Sequence, residues 1–201
     1  MTYTLKKYHS YQEYLDAEDL SSEVNYRLLD SGELIELPLE DDINARIISV
    51  LFAAIVKVKG FSFAPFIRPG NKEIQVPPVG DKCVNRKPDM VVLAPEHLES
   101  ARQSITLGLT APIFIAEVVS PGPQSSDNYL RDYEWKRQQY EDWQIPEYWI
   151  IDPHREQVSV LTFVDGAYQK AVFTGESQII SATFPTIEIA VDALLSGQID
   201  D

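Results

Sequence analysis

The stretch from Pro112 to Asp152 constrains this chain more than any other. An apolar run, Ile113-Phe114-Ile115-Ala116, reads as a buried strand, and it ends on a carboxylate, Glu117, before Val118 and Val119. A charge in that position is expensive unless something positive pairs with it. Ser120-Pro121-Gly122-Pro123 predicts a turn, and the pattern from about Asn128 to Trp143 predicts a helix that carries Lys136. A second buried strand, Glu147-Tyr148-Trp149-Ile150-Ile151, follows and is stopped by Asp152-Pro153. Strand, helix, strand is a βαβ unit with an acid on the strand and a base on the helix. Tyr133, Lys136 and Tyr140 fall at helical spacing on one face, with Tyr129 a turn earlier. An amine set among aromatics points inward rather than to solvent.

The remainder of the chain reads as support for that unit. Its 201 residues suit a single domain spanning 1–201, with a core of about 24–195. Tyr8 to Asp19 predicts a short acidic helix with Tyr11, Tyr14 and Leu15 on one side. Val24 to Leu29 and Glu33 to Leu37 flank Asp30-Ser31-Gly32 as a hairpin, with Glu36 late in its second strand. Asp41-Asp42 then caps a helix from about Ile43 to Lys59, whose stripe is Ile43, Ile47, Val50, Leu51, Ala54, Ile55 and Val58. Phe61 to Ile67 alternates aromatic and small residues and predicts a strand. Met90 to Leu93 predicts a short buried strand, in which period two sets Asp89, Val91 and Leu93 on one face. Gln157 to Phe163 and Ala167 to Phe173 form a second hairpin. Ile187 to Ile189 reads as a short strand and Val191 to Leu195 as a terminal helical turn.

Composition narrows the function classes. The formal net charge of −14 argues against general affinity for nucleic acid. The charge is uneven, however. Residues 1–42 hold 3 Lys/Arg and 11 Asp/Glu, whereas residues 57–87 hold 7 Lys/Arg and 2 Asp/Glu. The basic segment reads either as a phosphate-facing surface or as a solvated loop region. No apolar run of transmembrane length occurs, the first ten residues lack a signal-peptide core, and the one cysteine, Cys83, excludes an intrachain disulfide. A cytoplasmic protein is expected, with no membrane partner. His9, His97 and His154 show no metal-ligand spacing and are expected at the surface. Gly-rich phosphate loops are absent, so no nucleotide cofactor is expected.

Three residues carry the chemistry: Asp89, Glu117 and Lys136. Two carboxylates at the ends of neighbouring buried strands can share one hard cation, Mg²⁺ or Mn²⁺, with water completing its shell. A lysine beside them can orient a water molecule or stabilise charge developing on a phosphate. The set suits phosphodiester hydrolysis without naming the substrate. Glu36 is a candidate third acid.

In these residues the chain resembles the PD-(D/E)xK nuclease core and, over about residues 24–195, a large bacterial family of candidate restriction endonucleases once classed as a domain of unknown function. The matching segments are Asp30 to Glu36, Lys87 to Val92, Glu117 to Pro121, Arg131 to Arg137 and Ile145 to Pro153. The resemblance implies a restriction-endonuclease-like α/β fold, a central mixed sheet flanked by helices with extra β-hairpins. It implies a Mg²⁺-dependent endonuclease acting on DNA, with Asp89 and Glu117 as metal ligands and Lys136 on the following helix. A homodimer is expected by analogy with nucleases that cut two strands. Two departures stand out. Val119 occupies the place where the usual core carries its lysine, and Asn44 stands near a place in the first helix where the family often has histidine. The competing expectations are a binding or regulatory protein that keeps the fold without turnover, and a nuclease for RNA or for branched or damaged structures.

Overall fold

A computed structural model of the chain describes residues 7–21, 24–37, 42–80, 82–101, 103–120 and 127–197. Its centre is a six-stranded mixed sheet in the order β11-β10-β9-β8-β6-β3. The strands are β3 (Ile67–Pro69), β6 (Met90–Val92), β8 (Phe114–Val118), β9 (Glu147–Asp152), β10 (Gln157–Val164) and β11 (Ala167–Thr174). Only β8 and β9 run parallel, and every other pairing in this sheet is antiparallel. A parallel pair needs a crossover. The connection from β8 to β9 contains α4 (Asp127–Leu130), a π-helical turn (Arg131–Trp135) and α5 (Lys136–Asp142). The predicted βαβ unit is therefore present.

Both faces of the sheet are covered, which is why the central strands read as continuous apolar runs. On one face α2 (Asp42–Lys59) lays Ile47, Leu51 and Ile55 against Met90, Phe114, Ala116 and Trp149. α6 (Val191–Ser196) adds Val191 and Leu194 to the same layer. On the other face Tyr140 and Ile145 pack with Val91, Ile115, Tyr148 and Ile150. Val91 and Leu93 share this second face, as period two requires of them.

Two small sheets complete the molecule. β1 (Asn25–Leu28) and β2 (Leu34–Leu37) form the first hairpin. β4 (Glu73–Gln75) lies between β5 (Asn85–Arg86) and β7 (Ser104–Ile105). Two short helices, α1 (Tyr11–Leu15) and α3 (His97–Ser100), lie outside the main layers. α1 is anchored by the Tyr11 and Tyr14 hydroxyls, which donate to the Glu73 carboxylate at 2.5 and 2.9 Å.

Three expectations are corrected. Phe61–Phe66 is a 3-10 helix, and the strand is confined to Ile67–Pro69. Pro65 within the run has no N–H for a ladder, so a central strand there is disfavoured. Ile187 to Ile189 forms no strand, and a single bridge between Gln178 and Ala190 is what joins that region to its neighbour. His97 is buried rather than at the surface: its Nδ1 accepts from the Ala94 N–H and its Nε2 bonds the Thr110 carbonyl. The expected cap at Asp41 and the turn at 121–123 lie outside the described residues.

Candidate active site

Strand register brings the two acids to one end of the β6–β8 pair. β6 and β8 pair Val92 with Phe114, Val91 with Ile115 and Met90 with Ala116. Asp89 lies one residue before the paired part of β6, and Glu117 one residue beyond its last paired partner on β8. The Asp89 carboxylate is anchored by the Val118 N–H, which donates to its Oδ2 at 2.6 Å. Glu117, 2% exposed, sits in the middle of the layer between sheet and helix.

The helix supplies what balances Glu117. Lys136 Nζ lies 2.8 Å from Glu117 Oε2, and the Tyr140 hydroxyl donates to Glu117 Oε1 at 2.7 Å. Lys136 also pairs with Asp132 Oδ1 at 3.1 Å, one helical turn back. Asp132 is itself buried. It accepts from Arg131 Nε and Nη2 at 2.9 and 3.1 Å and from the Ser120 N–H at 3.3 Å. Ser120 Oγ accepts a further bond from Arg131 at 3.2 Å. The result is one chain of charge, from Glu117 through Lys136 and Asp132 to Arg131, with Asp89 adding to the field at Lys136. It ties the end of β8 to the crossover helix.

Of the residues expected from the sequence, Glu117 and an inward Lys136 pair directly and Asp89 binds the Val118 N–H; the contacts of Asp132, Arg131 and Tyr140 were not expected. Asp132 precedes Lys136 by four residues, the spacing of an intrahelical ion pair, and that was the available signal. The π-helical turn at Arg131–Trp135 had no such signal. Turns of this kind concentrate at functional sites. Arg86 is a further buried cation. Its Nε donates to Gln139 at 2.8 Å, and Gln139 in turn donates to the carbonyls of Pro77 and Cys83 at 2.9 and 3.0 Å. Gln138, the chain neighbour of Gln139, instead donates to Asp142 Oδ1 at 2.7 Å.

The electrostatics follow from this geometry. Burial disfavours a charged Lys136, but Asp132 and Glu117 outweigh it, and its pKa is raised. Burial likewise opposes ionisation of Asp132, and Lys136 and Arg131 overcome it, so its pKa is lowered. Burial and the Glu117 charge push the Tyr140 phenol far up. At neutral pH the cluster therefore holds an ammonium, an ionised Asp132 and a neutral phenol that donates.

Asp89 reaches the outside through a cavity of about 250 Å³, also lined by Asn44, Ser49 and Gly70. Asn44 thus opens onto the same space as the first acid. Glu36 stands opposite Tyr26 in the β1–β2 hairpin, exposed, and no described contact joins it to the trio. Among the described residues, no group of three or more His, Cys, Asp or Glu side chains is placed to hold a metal ion.

No curated protein matches the chain. Among solved structures, the chain is similar to a putative nuclease of DUF820 from Anabaena variabilis ATCC 29413, with 18% identity, a TM-score of 0.64, and coverage of 92% of this chain and 97% of the other. That likeness shows the fold. The family model described as Uma2, putative restriction endonuclease, matches residues 11–192, nearly the whole chain and every segment that forms the acid–lysine cluster, and the chain belongs to that family.

Proposed function

We propose that the protein is a Mg²⁺- or Mn²⁺-dependent endonuclease that hydrolyses phosphodiester bonds of DNA. The observation that carries this reading is the Lys136 ammonium, held between Glu117 and Asp132 at the strand end where Asp89 accepts from the Val118 N–H. The donor set fits a hard cation. Mg²⁺ is commonly bound by one or two carboxylates with several waters retained. Each Glu117 oxygen accepts one described hydrogen bond, and a carboxylate oxygen has a second lone pair for a metal. Asp89 and Glu117 would hold the ion, which when bound polarises a phosphoryl oxygen and makes its water more acidic.

The protein's own residues do the rest. Lys136 stays protonated, so it acts as a donor rather than a base. Two of its donor directions go to Glu117 and Asp132, and the ammonium has a third with which to hold the attacking water or a phosphate oxygen. Asp132 keeps that ammonium charged and in place. Tyr140 fixes the Glu117 carboxylate so that it does not swing onto the lysine alone.

The test is cleavage of supercoiled plasmid in Mg²⁺ or Mn²⁺. Lys136→Ala and Glu117→Gln should each lower the rate by about 10²–10³, the usual cost of removing a preorganised charge-stabilising group. Wild-type rates in both variants would remove the site. A second reading, a binding protein that has the fold without turnover, is favoured by one fact: both Glu117 oxygens already have donors within the chain. Calorimetric titration with Mn²⁺ separates the two readings, because tight binding abolished by Glu117→Gln supports the enzyme.

The same reading places the protein in the cytoplasm as a homodimer, one copy per strand of the duplex. Among the described residues no helix is long and apolar enough to cross a membrane.

A further inference from the structure

Next to the acid–lysine cluster lies a second cavity, of about 210 Å³, lined by Val119, Ser120, Tyr129, His154 and Arg155. It opens where the chain leaves β8 and β9, the two parallel strands. Ligands of open α/β sheets gather at such carboxyl ends. Ser120 belongs to both places. It walls this cavity, and its N–H and hydroxyl bond Asp132 and Arg131 of the cluster.

The cavity is built around one cation. The Arg155 guanidinium lies 4.8 Å from the ring centre of Tyr129 and 5.3 Å from that of Tyr133. The two rings stack on each other at 4.6 Å. Arg155 Nη1 donates to Asp152 Oδ2 at 2.7 Å, and Tyr133 donates to the same oxygen at 2.5 Å. Asp152 Oδ1 is taken by the backbone N–H groups of His154 and Arg155 at 2.9 and 3.0 Å. Asp152 is fully buried and shared among four donors, so its charge is spent on holding the turn. Arg155 has several donors beyond the one used on Asp152. A second cation, Lys170, stands 5.7 Å from the centre of the Tyr133 ring on the exposed strand β11. In a chain of net charge −14, two cations fixed on one aromatic platform beside the cluster need a reason.

We propose that the Arg155–Lys170 platform is a phosphate clamp that grips the nucleic-acid strand at a phosphate flanking the scissile bond. This rests on the nuclease reading above. A planar guanidinium locked by rings and a carboxylate is preorganised to bind phosphate in bidentate fashion, and it loses little freedom when it does so. Phosphate contacts of this kind set position rather than sequence. The clamp therefore serves affinity and register, and it leaves the chemistry to the cluster.

The experiment measures Kd for a fluorescein-labelled 20-mer DNA duplex and its single strand across a salt series without divalent metal, and plasmid cleavage kinetics in parallel. Lys170 is exposed, so Lys170→Gln keeps the fold; Arg155→Lys keeps a cation for Asp152 and loses the planar fork. Each should weaken binding and raise KM by about 5- to 20-fold while kcat stays within about threefold. Lys170→Gln should also reduce the salt slope of log Kd by about one. Unchanged Kd, KM and salt slope in both folded variants would overturn the clamp while leaving the nuclease intact. Wild-type binding that depends on Arg155 and Lys170 but yields no cleavage would keep the clamp and reject the nuclease. Failure of the wild type to bind either oligonucleotide would overturn the clamp.

Discussion

At the scale of single residues, Asp132 is buried between two cations, Arg131 beside it and Lys136 one helical turn on. Asp132 stabilises the Lys136 ammonium from the helix side while Glu117 stabilises it from the strand side. Asp132→Asn keeps the shape and removes the charge. Breaking a buried pair by removing one partner typically costs about 3–5 kcal/mol. The variant should lose roughly that much stability by urea unfolding and about 10²-fold in cleavage rate. The pH dependence is specific too. The folded pKa of Asp132 is depressed, so its contribution is complete above the unfolded value of about 3.9 and is lost as pH falls through the lower folded one. The folded pKa of Lys136 is raised, so its contribution is complete below about 10.4 and is lost as pH rises through the higher folded one. Urea midpoints measured from pH 7 to pH 2 should therefore fall less steeply for Asp132→Asn than for the parent, and an equal slope would contradict the pairing. The trio itself was legible because each member breaks a local rule. Glu117 ends an apolar strand, Asp89 begins one, and Lys136 sits among tyrosines. Asp132 breaks none, since an acid in the first turns of a helix is ordinary, and only the fold shows it buried.

At the scale of elements the crossover helix is the moving part of the argument. Its period was legible as one face, Tyr133, Lys136 and Tyr140, and the structure turns that face onto Asp152 and Glu117. The irregularity within it was not legible, because a π-helical turn changes the bonding ladder without changing composition. Such a turn accommodates one residue more than the α-helical path. Deleting the exposed Glu134 should restore a regular helix and rotate everything before it by about 100° relative to Lys136. Asp132 would leave the lysine and Tyr133 would leave Asp152. The expected outcome is far-UV circular dichroism close to the parent, with cleavage lost by at least 10²-fold. Retained activity would mean that the turn does not set the site. Elsewhere the errors share a cause. Phe61–Phe66 has strand composition, but its proline and the left-handed Gly60 before it, at φ +84°, favour a tight helical turn. His97 resembles a surface residue until the carbonyl of Thr110 arrives from a separate segment to satisfy it. Long-range partners decide such cases, and local pattern does not contain them.

At the scale of the whole molecule the proposed cleavage of duplex DNA needs a way for one chain to reach two strands. The six-stranded sheet ends on two edges of unlike character. β3 is three residues long and closes with Pro69, which lacks a donor, so that edge is blunted. β11 is eight residues long, largely exposed, and paired on one side with β10. Val172 on it is 50% exposed. The proposed homodimer would form by two copies joining antiparallel at β11 about a two-fold axis, continuing the sheet from one protomer into its partner. Net negative charge on each copy opposes that union, so it should tighten with salt. Sedimentation equilibrium at micromolar concentration should give twice the 22.8 kDa chain mass, with the dimer fraction rising between 50 and 300 mM salt. Val172→Pro removes one edge donor and should return the mass to that of a single chain. Binding of a single-stranded oligonucleotide should be unaffected by that change, while double-strand cleavage of plasmid gives way to nicking. A parent protein that sediments as a monomer at every salt concentration would leave the second strand to a separate encounter, and plasmid would then linearise only after nicked circles accumulate.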